Sequence, residues 1–323
     1  MILAANPYFG KNIGEFILLF LERMFLLITG RLPISELASD EVQVLVLALV
    51  AFASAIVGTF LVLKKLTMLA NSLSHTILLG IVIAYLLLIP FIPYQESHAH
   101  SISIQVLLIA SFATGLITTL LTQLLTHVLK LQEDASVGLV FTTLFALGIV
   151  LVTIFTRNTH LGVEAIMGNV DALHVHDLKL IFWIALVDLA CIVIFFKEFK
   201  MTTFDPGFAS ASGFSSPFFN YLLMVLTSAT VIGAFRAVGV LLVLAFLVGP
   251  VLTAQLLTHR LKKVLVLAIA FGLVAAFFSV ALGRHLLSVY HLPVSTSGLV
   301  TTVLGGVYCL TLLYRVTTKN LVK

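Results

Sequence analysis

The sequence predicts an all-α protein, a bundle of nine or ten membrane-spanning helices. Sixty per cent of its 323 residues are hydrophobic and only 10% are charged, whereas a soluble globular domain carries about 25% charged residues. The hydrophobic residues form long continuous runs without the alternation of a barrel strand, and helices are the structure that such runs adopt in a bilayer. Residues 1–323 are therefore interpreted as a single multi-pass membrane domain.

Nine apolar runs are long enough to cross a hydrocarbon core of about 30 Å, which takes about 20 residues. They cover residues 42–63, 66–92, 104–126, 136–156, 180–196, 218–234, 237–257, 264–283 and 297–314. The stretch from Pro217 to Leu257 is too long for one crossing. Gly233, Arg236 and Gly239 offer a tight turn within it, so it is divided into two spans.

Residues 1–40 form a weakly hydrophobic N-terminal segment. The apolar run at residues 13–29 contains Glu15, Glu22 and Arg23. It lacks the short cationic leader and small-residue cleavage site of a signal peptide. We expect either an interfacial helix or a tenth span.

Basic residues in short loops predict the orientation, because cytoplasmic loops carry an excess of Lys and Arg. If Lys64 and Lys65 face the cytoplasm, alternation of the spans places most other basic residues on the same side. These are Lys130, Lys197, Lys200, Arg260, Lys262, Lys263, Arg315, Lys319 and Lys323. The net charge of +4 is thus an orientation signal and gives no reason to expect nucleic acid as a partner.

The same orientation places seven of the ten histidines outside the cytoplasm. Carboxylates lie near them, and imidazole with carboxylate is a ligand set suited to divalent transition metals. His98 and His100, in the stretch SHAH, are therefore predicted to line an outer vestibule that concentrates metal ions. The alternative is that histidines are simply common in extracytoplasmic loops.

One span carries polar groups at membrane depth. Asn71 and His75 are four residues apart in LTMLANSLSHTILLG, so a helix places them on one face with Ser74 alongside. An ionisable group within a span is costly unless it lines a cavity or finds a partner, which makes a functional role the first hypothesis. The alternative is hydrogen bonding between helices, a common use of Ser, Asn and His in membranes.

Five stretches of the chain together carry a resemblance to a known family. In chain order they are MLANSLSHTILLGIVIAYLL, EDASVGLVFTTLFALGIVLV, AIMGNV, FDPGFASASG and VGVLLVLAFLVGPVLTAQLL. They resemble, in matching order, stretches of the manganese, zinc and iron ABC-importer permeases of bacteria, in which the first reads G-D-A-L-S-H-A-V-L-P-G. The resemblance runs from about residue 42 to 316 and implies a type II ABC-importer permease fold in the bacterial cytoplasmic (inner) membrane. In that family the Asp and His of the first stretch coordinate the metal, which assigns those roles to Asn71 and His75.

Asn71 departs from the family pattern, because it keeps an oxygen ligand but removes a negative charge. Such a site should hold a dication more loosely than one with a carboxylate. Asp188 lies within another span and is predicted to supply the missing charge as a third metal ligand. The alternative is a protonated carboxyl hydrogen-bonded between helices, which burial favours.

The resemblance also implies a separate cytoplasmic ATPase, and the chain contains no G-x-x-x-x-G-K-[ST] phosphate loop of its own. The segment KEFKMTTFDPGFASASGFSS is the longest polar cytoplasmic connection, and Asp205 followed by Pro206 predicts a helix start. A plain hydrophilic loop is the alternative. The residues predicted to couple to the ATPase are Phe204, Asp205, Pro206, Phe208, Ala209 and Gly213.

The predicted function is that of a permease subunit, and not of an enzyme, which moves a divalent Mn, Zn or Fe ion into the cell. Its expected partners are the ATPase, an extracytoplasmic metal-binding protein, membrane lipid and a second permease subunit, identical or related. No permanently bound cofactor is expected. An ion-coupled secondary transporter of a divalent cation is the alternative, although the spans hold few ionisable residues for a coupling ion. An intramembrane enzyme is disfavoured because no H-E-x-x-H occurs.

Overall fold

The computed structural model describes residues 6–88, 104–155 and 170–321. The helices are α1 (Ile13–Ile28), α2 (Ser39–Leu63), α3 (Thr67–Leu88), α4 (Ile104–His127), α5 (Glu133–Phe155), α6 (Val175–Ile194), α7 (Phe196–Phe204), α8 (Pro206–Ala211), α9 (Ser216–Val238), α10 (Val240–Leu257), α11 (Leu261–Tyr290) and α12 (Thr296–Leu321). Short 3-10 turns at Ile34–Glu36 and Val170–Ala172 precede α2 and α6. No strand forms in these ranges, which confirms the all-α fold class.

Six helices within the described residues are long and apolar enough to cross a membrane, namely α2, α4, α5, α9, α11 and α12. Helices α6 and α7 pass the same test together as one span that bends by 72°, and α10 is apolar but shorter. The expected count of nine or ten spans is therefore not confirmed. Helix α1 has 16 residues and, at 1.5 Å per residue, is about 24 Å long, which is less than the hydrocarbon core.

The predicted turn inside the longest apolar stretch lies at its last candidate residue. Helix α9 continues through Gly233 and Arg236 to Val238, and α10 begins at Val240. Between them Gly239 has φ +82°, a left-handed conformation that glycine adopts without steric penalty. The other two candidates stay helical because an isolated glycine or arginine does not end a helix.

The chain divides into two compact units. Unit 1 contains Met1–Thr59, Asn169–Ala190 and Ala237–Lys323, and unit 2 contains Phe60–Gly168 and Cys191–Arg236. In unit 1, α2 and α10 come so close that a Cβ on Gly58 would lie 2.2 Å from the carbonyl oxygen of Leu247. Close backbone approach at small residues is a usual way to pack membrane helices, since lipid provides no hydrophobic driving force.

In unit 2, α3 packs against both α4 and α5. Thr118 of α4 donates a hydrogen bond to Thr76 of α3 across 3.0 Å. On the other side, a Cβ on Gly148 of α5 would lie 3.2 Å from the backbone nitrogen of Leu79. These contacts fix α3, which carries the polar residues that the sequence singled out.

Replacing Gly80 by alanine should destabilise the packing of α3 on α4. The new methyl group would lie 2.2 Å from the hydroxyl oxygen of Thr114 and 2.8 Å from the carbonyl oxygen of Ala110, and overpacking of this kind costs typically 1–3 kcal/mol. The midpoint of thermal unfolding in detergent is expected to fall. Gly138→Ala in α5 is the matched control, because nothing lies within 4 Å of its Cβ position. Equal midpoints for the two variants would contradict the close approach.

Candidate metal pathway and coupling segment

Helix α3 places Asn71 and His75 one turn apart, and both side chains are half-buried. Ser72 and Leu73 between them are buried, as is Thr76. The pair therefore lies on the less covered face of the helix, as the four-residue spacing predicts. An amide oxygen and an imidazole nitrogen on one face are two neutral groups able to coordinate a metal ion.

The imidazole of His75 lies against two phenyl rings of α5. Its centroid is 5.4 Å from the ring centroids of both Phe141 and Phe145, and those two rings stack 5.7 Å apart at an interplanar angle of 19°. The phenyl rings restrict the orientation of the imidazole and keep water from that side. Sequence reasoning missed this pair. Its i, i+4 spacing marks one face of α5, but nothing local shows which helix that face meets.

Only two of the predicted metal ligands are brought together on α3. Within the described ranges, no group of three or more His, Cys, Asp or Glu side chains is close enough to hold a metal ion. A dication beside Asn71 and His75 would thus need further ligands, which water can supply.

The third predicted ligand lies in unit 1, whereas Asn71 and His75 lie in unit 2. Asp188 belongs to α6, and its side chain is completely buried although its neighbour Val187 is exposed. Its part in a metal site stays a prediction. The predicted vestibule residues, His98 and His100, lie outside the described residues.

The polar segment after α7 forms the short helix α8, which begins where the sequence predicts. Asp205 is its N-cap, and its Oδ1 accepts a hydrogen bond from the backbone N–H of Phe208 at 2.8 Å. Pro206 occupies the first helical position, where its missing N–H is not needed. The helix ends in a Schellman motif, since the N–H of Gly213 bonds to the carbonyl of Ser210 and the N–H of the next residue bonds to the carbonyl five positions before it. Gly213 has φ +87°, which explains the glycine at this position.

Helix α8 has a buried face and an exposed aromatic face. Ala209 is completely buried, so it packs the helix against the rest of unit 2 and has no surface to offer a partner. Phe208 is 58% exposed and Phe204, just before the helix, is 56% exposed. The exposed surface of this segment is therefore aromatic and centred on these two phenyl rings.

Helix α7, which leads into this segment, is held by an apolar cluster and by Lys64. The ring of Phe199 is fully buried and lies 5.5 Å, between centroids, from both Phe60 and Phe219. The Lys64 ammonium lies 3.4 Å from both the carbonyl and the hydroxyl oxygens of Thr202, and it also donates to Asn220. A cation is favourable near the negative end of a helix, so Lys64 ties the last turn of α7 to α9.

Replacing Lys64 by methionine should loosen the α7–α8 segment. The substitution removes hydrogen bonds from a charged donor, which contribute about 1.5–3 kcal/mol, and 1.4 kcal/mol corresponds to about tenfold in local opening. Hydrogen–deuterium exchange of the amides at residues 202–212 should accelerate by about tenfold. Lys65→Met is the matched control, because Lys65 is exposed. Equal exchange in both variants would show that Lys64 does not hold the segment.

The chain matches a family model described as the ABC 3 transport family over residues 41–315. The "Probable metal transport system membrane protein" of Chlamydia trachomatis is 40% identical over 314 residues, which cover 97% of this chain and 95% of the relative. The manganese transport system membrane protein MntD of Bacillus subtilis is 34% identical over 279 residues, or 82% of this chain and 88% of the relative.

A solved structure has the same fold. It is described as PsaBC from Streptococcus pneumoniae in complex with Fab, and the match covers 91% of this chain and 95% of that chain. The TM-score is 0.68 and the sequence identity is 23%. At this identity the likeness concerns the helical architecture alone.

Proposed function

The chain belongs to the ABC 3 transport family, and from that membership we infer that it is the membrane subunit of an ATP-driven importer of divalent transition metal ions. The observation that carries this inference is the family match over residues 41–315, supported by relatives named for metal and manganese transport. The chain itself is a permease and not an enzyme. We place it in the bacterial inner membrane, where a cytoplasmic ATPase hydrolyses ATP and an extracytoplasmic binding protein delivers the ion.

We further propose that Asn71 and His75 line the path of the ion. The amide oxygen and the imidazole nitrogen replace part of the hydration shell of the ion, while the rings of Phe141 and Phe145 pack against the imidazole and hold its orientation. Because the amide carries no charge, the pair attracts a dication less strongly than an Asp–His pair would. The ion should therefore bind transiently and leave readily.

Coupling to the ATPase is proposed to use the aromatic face of α8. Phe208 of α8 and Phe204, the last residue of α7, present two exposed rings, and α8 is capped at both ends. Exposed aromatic side chains are the usual anchors of protein interfaces. The buried side chains of Ala209 and Phe199 then transmit a displacement of these rings to the rest of unit 2.

Vesicle transport tests the function as a whole. The permease is co-expressed with its ATPase partner and reconstituted into liposomes, with ATP on the ATPase side and the metal-binding protein on the opposite side. Radioactive Mn²⁺ should accumulate against its gradient only with ATP and only when both subunits are present, and excess Zn²⁺ should compete if the pathway accepts both ions. Accumulation driven by a proton or sodium gradient without ATP would overturn the proposal in favour of a secondary transporter.

A further inference from the structure

The N-terminal segment lies before the region matched by the family model, which begins at residue 41, yet it is firmly attached to unit 1. The Tyr8 hydroxyl donates to Glu41 at 2.7 Å, and the Arg23 guanidinium donates to both oxygens of the same carboxylate. Asn6 donates to Asp40 at 2.7 Å. Burial, and then the hydrogen bond to Glu41, raise the pKa of Tyr8, so its hydroxyl stays protonated and able to donate.

These contacts show that α1 crosses the end of α2. Tyr8 precedes α1 and Arg23 lies in its second half, yet both bond to Glu41 in the first turn of α2. The buried rings of Phe16 and Phe20 both contact one ring of α11, that of Phe277, at centroid distances of 6.2 and 5.1 Å. A helix running antiparallel beside α2 would move away from Glu41 by about 1.5 Å with each residue. Contacts from so wide a stretch would not then converge on one carboxylate.

The outward side of α1 carries an apolar stripe. Leu18, Leu21, Phe25 and Ile28 are between 59% and 83% exposed. Their spacings of three, four and three residues place them on one face along most of the helix. Four large hydrophobic side chains exposed together require a covering surface.

A polar stripe runs beside the apolar one. Glu15 and Glu22 lie two turns apart on the adjoining face of α1, and Lys11 and Thr29 extend the same line just beyond its two ends; the last three in chain order are exposed. Lys11 pairs with Glu15 at 3.3 Å. Parallel apolar and charged stripes are the pattern of a helix that lies in a membrane interface. In a spanning helix the same polar stripe would cross the hydrocarbon, where exposed carboxylates are strongly disfavoured.

We propose that α1 is an in-plane anchor which buries its apolar stripe in the lipid of the extracytoplasmic leaflet. Lipid is the occupant because α1 packs against a membrane span that carries exposed apolar side chains of its own. Phe20 contacts Phe277 of α11, a span whose neighbouring residues Val274 and Phe278 are exposed apolar side chains. The extracytoplasmic side follows from the orientation of the basic loops, which puts the start of α2 outside.

Spin-label depth measurements test this inference without relying on transport. Single cysteines replace Leu18, Leu21, Phe25 and Ile28, one per variant, after the native Cys191 and Cys309 have been changed to serine. The labelled full-length protein is reconstituted in phosphatidylcholine and phosphatidylglycerol vesicles, and power saturation with oxygen and a water-soluble nickel chelate gives the depth of each label. All four labels should lie at one shallow depth, and a label at Glu22 should be accessible to nickel.

Labels at Leu139 and Ile149 of the span α5 are the matched control. These exposed residues are ten apart, so their depths should differ by about 15 Å along a spanning helix. A similar gradient from Leu18 to Ile28 would show that α1 spans the membrane. Nickel access at all four stripe positions would show that the stripe faces water, and exclusion of both oxygen and nickel would show that protein covers it. Each of these results overturns the proposal and leaves the importer function intact.

Discussion

Replacing His75 by alanine should reduce ATP-dependent uptake of Mn²⁺ in reconstituted vesicles to the level seen without ATP. The substitution leaves Asn71 as the one proposed protein ligand on α3, and a single neutral oxygen cannot compensate for the loss of water from a dication. The imidazole also fills the space beside Phe141 and Phe145. Uptake of radioactive Mn²⁺ over a range of concentrations is the measurement.

The controls separate a role in the pathway from a role in packing. His176→Ala removes an exposed histidine and should leave uptake unchanged. Asn71→Asp should lower the half-saturating Mn²⁺ concentration, because a carboxylate attracts a dication more strongly in a low-dielectric site. The assignment would be wrong if His75→Ala reduced the yield of folded protein and of ATPase complex while Asn71→Asp changed neither affinity nor rate. Both side chains would then serve as hydrogen-bonding groups between helices.

Local signals predicted much of this structure. The apolar runs located the helices, because a bilayer leaves few alternatives for an unbroken hydrophobic stretch. Asp205 and Pro206 marked the start of α8, because an N-cap carboxylate and a proline at the first helical position satisfy requirements of that turn alone. The four-residue spacing likewise sufficed to place Asn71 and His75 on one face.

Features that depend on packing between helices were not predictable from the same signals. The 72° bend between α6 and α7 falls at Phe195, where no glycine or proline marks a break. The burial of Phe199 against Phe60 and Phe219 accompanies this bend, so its origin is tertiary. The contact of His75 with two rings of α5 likewise joins residues about 70 positions apart.

Exchanging Phe208 for aspartate should prevent assembly with the ATPase and abolish coupled uptake. The ring is 58% exposed on the accessible face of α8, and removal of an aromatic anchor typically costs 2 kcal/mol or more, which weakens binding about thirtyfold. The aspartate also places a charge against an apolar binding site on the ATPase, which weakens binding further. Co-purification of the ATPase from detergent, followed by ATP hydrolysis and Mn²⁺ uptake in vesicles, measures the effect.

The choice of Phe208 alone makes this result interpretable. Aspartate at the buried Ala209 would disrupt the packing of α8 itself. A loss of ATPase binding in that variant would not distinguish a lost contact from a misplaced helix. Phe218→Asp introduces the same charge at an equally exposed phenylalanine outside the segment and should leave assembly intact, while Phe208→Leu should retain most of it. If Phe208→Asp co-purified with the ATPase as wild type does, the ATPase would have to bind another part of the cytoplasmic surface. An identical loss in Phe218→Asp would likewise argue against α8, since the effect would then follow from added negative charge anywhere on that surface.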